Sequence, residues 1–255
     1  MTTWVFLRGL TRESRHWGGF VDQFQQTIPG STVIALDLPG NGLLNTGCSP
    51  WRVQDMVAQC RAQLALRNIE PPFHLLAMSL GAMVAVAWSH AHPQEISRSV
   101  LINTSMRPFS PFYQRLRPAN YAALLKLVLL QATPGEWERT VLRLTSNRGN
   151  DAVLPHWLAL RQNNPVSTAN AFRQLIAAAR YAAPASAPPV HTLALASEHD
   201  HLVSVECSRA LARHWHCPLN IHPSAGHDLP LDDGPWVASQ VRSWLQACCG
   251  ARVLV

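Results

Sequence analysis

The sequence is poor in charge, and above all in lysine. Charged residues make up 14% of the 255 residues, and Lys126 is the single lysine. The formal net charge of +6 therefore comes from arginines, which are scattered along the chain without a run of basic residues interleaved with aromatic ones. Because nucleic-acid-binding proteins concentrate their basic residues in patches, this distribution argues against a nucleic-acid partner. It leaves an acidic carrier protein or an anionic substrate tail as a possible partner.

Long hydrophobic runs and metal-binding cysteine patterns are missing as well. The longest apolar stretches, such as residues 124–130, fall short of the roughly 20 residues that cross a bilayer. The first residues lack the charged start and the cleavage site of a signal peptide. The six cysteines show no metal-ligand spacing, and Cys248 and Cys249 are adjacent, which is poor geometry for a disulfide. We therefore expect a cytoplasmic protein with reduced thiols, no membrane contact, no metal and no other cofactor.

The residues that are present indicate an α/β domain. Hydrophobic residues make up 47% of the chain, enough for a substantial core. Short apolar runs alternate with helical patterns, and this alternation predicts a mainly parallel sheet of about six strands flanked by helices, because parallel neighbours need crossover helices. The predicted strands cover residues 3–7, 32–36, 73–77, 99–103, 190–196 and 219–222. The predicted helices of this core cover residues 17–26, 51–66, 80–90, 205–215 and 235–247.

The stretch from about Ser105 to Ala183 breaks the alternation. It contains several helical patterns and no convincing strand, and prolines punctuate both of its ends. We interpret it as a helical cap, residues 105–183, inserted into a core domain formed by residues 1–104 and 184–255. Its apolar and aromatic side chains either pack the cap onto the core or line a pocket for an acyl or aromatic substrate.

A serine lies at the corner between a predicted strand and a predicted helix. The segment reads Ala77-Met78-Ser79-Leu80-Gly81. Residues two positions away on each side of such a corner must be small, because the strand and helix backbones crowd them. The corner also strains the serine backbone and exposes its Oγ above the sheet, which suits a nucleophile. The alternative is that Ser79 only caps the helix that follows it.

Two backbone N–H groups are candidates for an oxyanion hole beside Ser79. The N–H of Leu80 lies at the start of a helix, where the backbone dipoles give partial positive charge. The N–H of Leu10 belongs to the loop after the first strand, where Gly9 permits a tight turn. Arg8 in the same loop pairs either with a carboxylate of the protein or with a carboxylate of the substrate.

A histidine and an aspartate follow the last two predicted strands. His227 lies after Gly226 in a loop behind the last strand, and this placement separates it from the other eleven histidines. Asp200 comes just after the strand at residues 190–196, where its carboxylate can accept the Nδ1 proton of His227. Glu198 is the alternative acid, because it lies only two residues away. The order Ser, Asp, His along the chain is that of α/β-hydrolases.

These motifs together resemble the α/β-hydrolase superfamily over most of the chain. They are Arg8-Gly9, the D-x-P-G-x-G turn at residues 37–42, the serine elbow at residues 77–81, Asp200 with Leu202-Val203, and Gly226-His227. Within the superfamily the chain is similar to small carboxylesterases, among them the esterase of biotin synthesis that cleaves a pimeloyl-carrier-protein methyl ester. Two residues depart from the usual pattern, since Arg8 replaces a histidine and Ala77 replaces the first elbow glycine, and we expect the antiparallel hairpin before the first strand to be absent.

The resemblance implies a serine hydrolase that acts on a small-molecule acyl substrate. Ser79 would attack a carbonyl carbon while His227, oriented by Asp200, takes its proton and Leu10 and Leu80 bind the oxyanion. The bond cleaved is expected to be a carboxylic ester or thioester, with an acyl-carrier protein as a further partner. Two alternatives fit the same residues: a binding protein that keeps the triad without turnover, and a carbon–carbon bond hydrolase.

Overall fold

The computed structural model describes residues 1–129, 132–148 and 151–250. Six strands form one sheet in the order β2-β1-β3-β4-β5-β6, and every neighbouring pair is parallel. The predicted six-stranded parallel sheet is therefore confirmed. The strands are β1 (Thr2–Leu7), β2 (Ser31–Leu36), β3 (Phe73–Met78), β4 (Ile96–Ile102), β5 (His191–Ser197) and β6 (Leu219–His222).

Helices cover both faces of the sheet, so the strands are buried on both sides. Along β1, Val5 and Leu7 contact one apolar cluster, and Trp4 and Phe6 contact the other. Each such side chain stabilises the fold by about 1.5–3 kcal/mol when it leaves water. The first cluster is covered by α2 (Val53–Leu66), α3 (Leu80–Ala91) and α9 (Val205–Trp215), and the second by α1 (Phe20–Thr27) and α10 (Leu229–Gly250).

One helix starts later than predicted, and another is preceded by an additional helical turn. The pattern at residues 17–26 predicts one helix, but a 3-10 turn over Ser14–Trp17 comes first and α1 starts at Phe20, because Gly18 adopts a φ of 51° between them. The last helix, α10, spans Leu229–Gly250 and consists of two helical parts, because Asp233 between them has a non-helical φ of −152° and ψ of 71°. The second part begins beside Pro235, as predicted, and the carboxylate of Asp233 accepts from the N–H of Trp236 at its start.

Between β4 and β5 the chain forms five helices within its described residues. They are α4 (Phe112–Arg115), α5 (Tyr121–Leu129), α6 (Pro134–Thr145), α7 (Leu154–Asn163) and α8 (Thr168–Arg180). A bridge between Arg107 and Ala182 brings the two ends of this insertion side by side. Its description as a separate cap domain stays a prediction, and residue 130, the end of the apolar stretch 124–130, lies outside the described residues.

No helix in these described ranges has the length and hydrophobicity needed to cross a membrane.

Candidate active site

Ser79 occupies the sharp turn between β3 and α3. Its φ of 55° and ψ of −117° lie in a region that residues other than glycine rarely adopt. Two hydrogen bonds hold it there: its N–H donates to the carbonyl of Ile102 at 3.0 Å, and its carbonyl accepts from the Thr104 hydroxyl at 3.0 Å. The surrounding structure thus maintains a strained serine, which is the condition under which such strain persists at functional sites.

The neighbours of Ser79 are as small as the turn requires. A side chain on Gly81 would place its Cβ 2.6 Å from the carbonyl oxygen of Arg8, so the helix passes directly against the loop after β1. A Cβ on Gly9 would lie 3.1 Å from the Cβ of Ser79. Ala77 is fully buried in β3, where its methyl group packs into the apolar core. The loop carrying Gly9 and Leu10 therefore runs beside the nucleophile candidate.

His227 and Asp200 form a buried hydrogen-bonded pair. Nδ1 of His227 lies 2.7 Å from Oδ2 of Asp200, and the residues are 3% and 2% exposed. The other carboxylate oxygen, Oδ1, accepts from the N–H groups of Leu202 and Val203 at 2.8 and 2.9 Å. An ionised carboxylate can only accept, so the pairing with Asp200 requires the proton on Nδ1, and in the neutral imidazole Nε2 then has a lone pair.

Glu198 faces a different partner. Its carboxylate pairs with the guanidinium of Arg209 at 2.6 Å, and its side chain is 41% exposed. Of the two acids that the sequence offers, Asp200 is the one that contacts His227.

Asn103 links the loops that carry these residues, and it is not among the residues predicted for the site. It directly follows β4, has a φ of 43° and is 3% exposed. Its Nδ2 donates to the carbonyl of His227 at 2.8 Å, and its Oδ1 accepts from the N–H of Ser197 at 2.8 Å. Because the next residue, Thr104, bonds to the carbonyl of Ser79, two consecutive residues tie the serine turn to the histidine loop. The sequence feature that could have pointed to Asn103 is a polar amide at the end of an otherwise apolar predicted strand.

Arg8 pairs with a carboxylate of the protein. Its guanidinium makes two hydrogen bonds to Asp228, one of them 3.0 Å long, and both residues are 2% exposed. It also stacks over Trp17, 4.8 Å from the ring centroid. Asp228 directly follows His227, so this buried pair joins the loop after β1 to the loop after β6.

The two N–H groups expected to form an oxyanion hole are both available. Among the described residues, no acceptor is hydrogen-bonded to the N–H of Leu10, whereas the next N–H, of Thr11, donates to Oε1 of Gln174 at 2.9 Å. Leu80 is the first residue of α3, and the first N–H groups of a helix have no partner within it. Leu80 directly follows Ser79, and Leu10 directly follows Gly9, which lies against the side chain of Ser79.

A buried histidine near Arg8 and a buried thiol near Asp200 have shifted pKa values. His16 is buried, and burial together with the charges of Arg12 and Arg8 lowers its pKa well below the usual range. Its Nε2 lies 3.0 Å from Nη1 of Arg12. Burial raises the pKa of the Cys207 thiol to about 11, so this thiol stays protonated at neutral pH. Cys48, Cys60, Cys207, Cys217 and Cys248 are free, and the side chain of Cys249 lies outside the described residues.

Within the described ranges, no group of three or more His, Cys, Asp or Glu side chains is arranged to hold a metal ion.

Comparison with known proteins identifies relatives along almost the whole chain. The bifunctional biotin biosynthesis protein BioHC of Teredinibacter turnerae (strain ATCC 39867 / T7901) is 25% identical over 274 aligned positions, which cover 95% of this chain and 44% of that protein. This chain thus spans less than half of that relative's length. A family model described as the alpha/beta hydrolase family matches residues 4–240.

Two solved structures share the fold. A thermophilic esterase from Thermogutta terrifontis, determined with malate bound, is 18% identical with a TM-score of 0.75, covering 97% of this chain and 90% of the esterase. The 2-hydroxy-6-oxo-6-phenylhexa-2,4-dienoate hydrolase from Rhodococcus sp. strain RHA1 is 16% identical with a TM-score of 0.76, covering 96% and 90%. Because the family model extends over most of the sequence, from residue 4 to residue 240, the chain belongs to the alpha/beta hydrolase family.

Proposed function

We propose that the protein is a serine hydrolase that cleaves carboxylic esters or thioesters through an acyl-enzyme. Ser79 is the nucleophile, His227 the base and Asp200 the acid that orients His227. The observation that carries this proposal is the buried 2.7 Å hydrogen bond between His227 and Asp200. It fixes the imidazole as the tautomer whose Nε2 can accept a proton, and a strained serine on a neighbouring loop supplies that proton.

Acylation begins when Oγ of Ser79 attacks the carbonyl carbon of the substrate. The hydroxyl proton moves to Nε2 of His227, and the imidazolium that forms is stabilised by the carboxylate of Asp200. The carbonyl oxygen gains negative charge, which the N–H groups of Leu10 and Leu80 bind. When the bond to the leaving group breaks, His227 returns its proton to the departing alkoxide or thiolate, and the acyl group stays on Ser79.

Deacylation repeats these steps with water. His227 takes a proton from a water molecule as the water oxygen attacks the acyl carbon, and the same two N–H groups bind the second oxyanion. The bond to Ser79 then breaks, the proton passes from His227 to Oγ, and a carboxylic acid is released. The insertion between β4 and β5 bounds the acyl pocket in this proposal.

The charge of the insertion supports an acidic carrier protein as the bearer of the acyl group. Residues 105–183 contain ten basic and three acidic residues, whereas the rest of the chain contains eleven basic and twelve acidic ones. The positive excess of the molecule thus belongs to the segment that adjoins the proposed pocket. An electropositive surface there would attract an acidic carrier and speed its association.

The two alternatives predict different chemistry from the same residues. A binding protein without turnover would keep the fold and lack a reactive serine. A carbon–carbon bond hydrolase would keep the reactive serine and reject simple esters. The fold is shared by an esterase and by a dienoate hydrolase, so the choice depends on the reaction and not on the architecture.

A p-nitrophenyl ester series from acetyl to dodecanoyl tests the proposal. We expect hydrolysis that peaks at one chain length, and we expect Ser79→Ala to lower kcat/KM by about 10³-fold or more with its melting temperature nearly unchanged, because the substitution removes one oxygen. Ser239→Ala is the matched control: the Ser239 hydroxyl donates to the carbonyl of Trp236 within α10, so its removal should not affect turnover.

Labelling with a serine-directed phosphonate separates the alternatives. Labelling of Ser79 without hydrolysis of any ester in the series would favour the carbon–carbon bond hydrolase. Neither labelling nor hydrolysis would favour the binding protein, and hydrolysis that survives in Ser79→Ala would exclude the proposed mechanism.

A further inference from the structure

We infer that Gln174, a residue of the insertion, is a positioning residue that orients the loop carrying the Leu10 N–H for catalysis. This inference rests on the proposed function, since it assigns a role in oxyanion binding. The side chain of Gln174 lies on α8, is fully buried, and reaches from the insertion to the loop after β1.

The loop after β1 contains a strained turn. The N–H of Arg12 donates to the carbonyl of Gly9 at 3.2 Å, which closes a four-residue turn with Leu10 and Thr11 at its centre. Thr11 has a φ of 57°, a conformation that is costly for a β-branched residue. A flip of the peptide group between Leu10 and Thr11 would bring Thr11 to a negative φ and relieve the strain.

Gln174 opposes that flip. Its Oε1 accepts from the N–H of Thr11 at 2.9 Å. If the peptide flipped, the carbonyl of Leu10 would replace this N–H and face Oε1, leaving two buried oxygens in contact without a donor between them. The acceptor on Gln174 therefore selects the strained form of the turn and fixes the backbone that directly follows the Leu10 N–H.

The hydrogen bonds of its Nε2 fix the orientation of the Gln174 amide, so Oε1 and Nε2 cannot exchange places. Its Nε2 donates to Oδ1 of Asn41 at 2.7 Å and to the hydroxyl of Ser49 at 3.0 Å. Nδ2 of Asn41 in turn donates to the carbonyl of Arg12 at 3.0 Å. One fully bonded network thus holds the turn at two successive residues, and such a network fixes a single geometry.

Asn170 provides a matched comparison on the same helix. It lies one turn before Gln174 and is 4% exposed. Its Oδ1 accepts from the N–H of Ser49 at 2.9 Å, and its Nδ2 donates to the carbonyl of Gly47 at 2.8 Å. Asn170 therefore also fastens the insertion to the core, but within the described part of the chain it makes no hydrogen bond to the loop that carries Leu10.

Gln174→Met and Asn170→Leu test the inference in the full chain. We expect Gln174→Met to lower kcat on the best p-nitrophenyl ester by about 10- to 100-fold, since removing a whole oxyanion donor costs about 10²- to 10³-fold. KM should change by about twofold or less. The affinity for an alkyl boronic acid, which mimics the oxyanion, should fall in proportion to kcat. Asn170→Leu should lower the melting temperature without lowering kcat.

Gln174→Glu distinguishes orientation from packing. As a neutral acid in this buried site, glutamate accepts from Thr11 with one oxygen and donates to Asn41 through the other. We expect it to retain more of kcat than Gln174→Met. A packing role predicts the reverse order, because an apolar methionine is less costly to bury than a carboxylic acid.

Each outcome has a defined meaning. Unchanged kcat in Gln174→Met, or an equal loss of kcat in Asn170→Leu, overturns the inference while the proposed function stands. Absence of Ser79-dependent turnover in the wild type overturns both.

Discussion

Two carboxylates lie two residues apart after β5, and their surroundings give them different roles. Both oxygens of Asp200 are engaged inside the protein, one by His227 and the other by two backbone N–H groups. Glu198 is half exposed and pairs with Arg209. A surface pair of this kind contributes at most about 1 kcal/mol to stability.

Replacing the carboxylate by an amide should therefore lower kcat strongly at Asp200 and hardly at all at Glu198. Asp200→Asn is expected to lower kcat by about 10²- to 10⁴-fold, because an amide that donates to His227 selects the wrong tautomer. Glu198→Gln should leave kcat within about twofold of the wild type. Steady-state kinetics on one p-nitrophenyl ester measures both, and a larger loss in Glu198→Gln would reassign the acid.

Much of the candidate site is predictable because its residues stand next to strong local signals. Ser79 lies between an apolar strand and a helix of small residues, and the structure has the strained turn that this pattern predicts. The catalytic roles of Ser79, Asp200, His227, Leu10 and Leu80 stay predictions. Asn103 and Gln174 could not be found in the same way, because their importance comes from partners that are 124 and 163 residues distant in the sequence.

At the scale of structural elements, a buried ion pair joins the loop after β1 to the loop after β6. Arg8 and Asp228 are 220 residues apart in the sequence, and each is almost completely removed from water. Burying two charges is costly, and the bidentate contact offsets that cost only while both partners are present. The pair therefore fixes how the loop beside Ser79 meets the loop of His227.

Removing one partner should cost far more than removing both. We expect Arg8→Met to lower the free energy of unfolding by about 3–5 kcal/mol, because it leaves the carboxylate of Asp228 buried without its partner. The double variant Arg8→Met with Asp228→Leu should recover most of that loss. Urea unfolding of both variants gives the comparison, and equal destabilisation would show that the pair matters only through packing.

The ends of helices and strands are predictable from the sequence where the hydrophobic periodicity continues without a break in the backbone conformation. The helix at Val205–Trp215 and the strand at Leu219–His222 agree with the prediction residue for residue. The helix predicted at residues 17–26 starts later, because hydrophobic spacing continues through Gly18 while the backbone does not. Periodicity records which face of a segment is buried, and it does not record a local change of φ.

Over the whole molecule, charge is distributed unevenly between the insertion and the remainder. Exposed arginines such as Arg139 and Arg143 lie one turn apart on α6, whereas Arg67 is exposed at the end of α2 in the remainder of the chain. If an acidic carrier bears the acyl group, its association depends on this field and is screened by salt.

Salt and charge reversal should then affect two substrates differently. Raising the ionic strength from about 0.05 M to about 0.5 M is expected to increase KM for a carrier-bound acyl ester several-fold and to leave KM for a p-nitrophenyl ester unchanged. Arg143→Glu should reproduce the effect at low salt, and the control Arg67→Glu should not. Equal responses of the two substrates would argue for a free small-molecule substrate.

The hydrogen bond between Thr11 and Gln174 also has a consequence for how activity is acquired during folding. It joins residues 163 positions apart, so the loop that it closes carries a large entropic cost, whereas neighbouring elements of the sheet are joined by much shorter connections. The sheet can therefore assemble before the insertion docks on it. We expect a refolding chain to regain its secondary structure first, and to become active only when this contact between the insertion and the loop after β1 has formed.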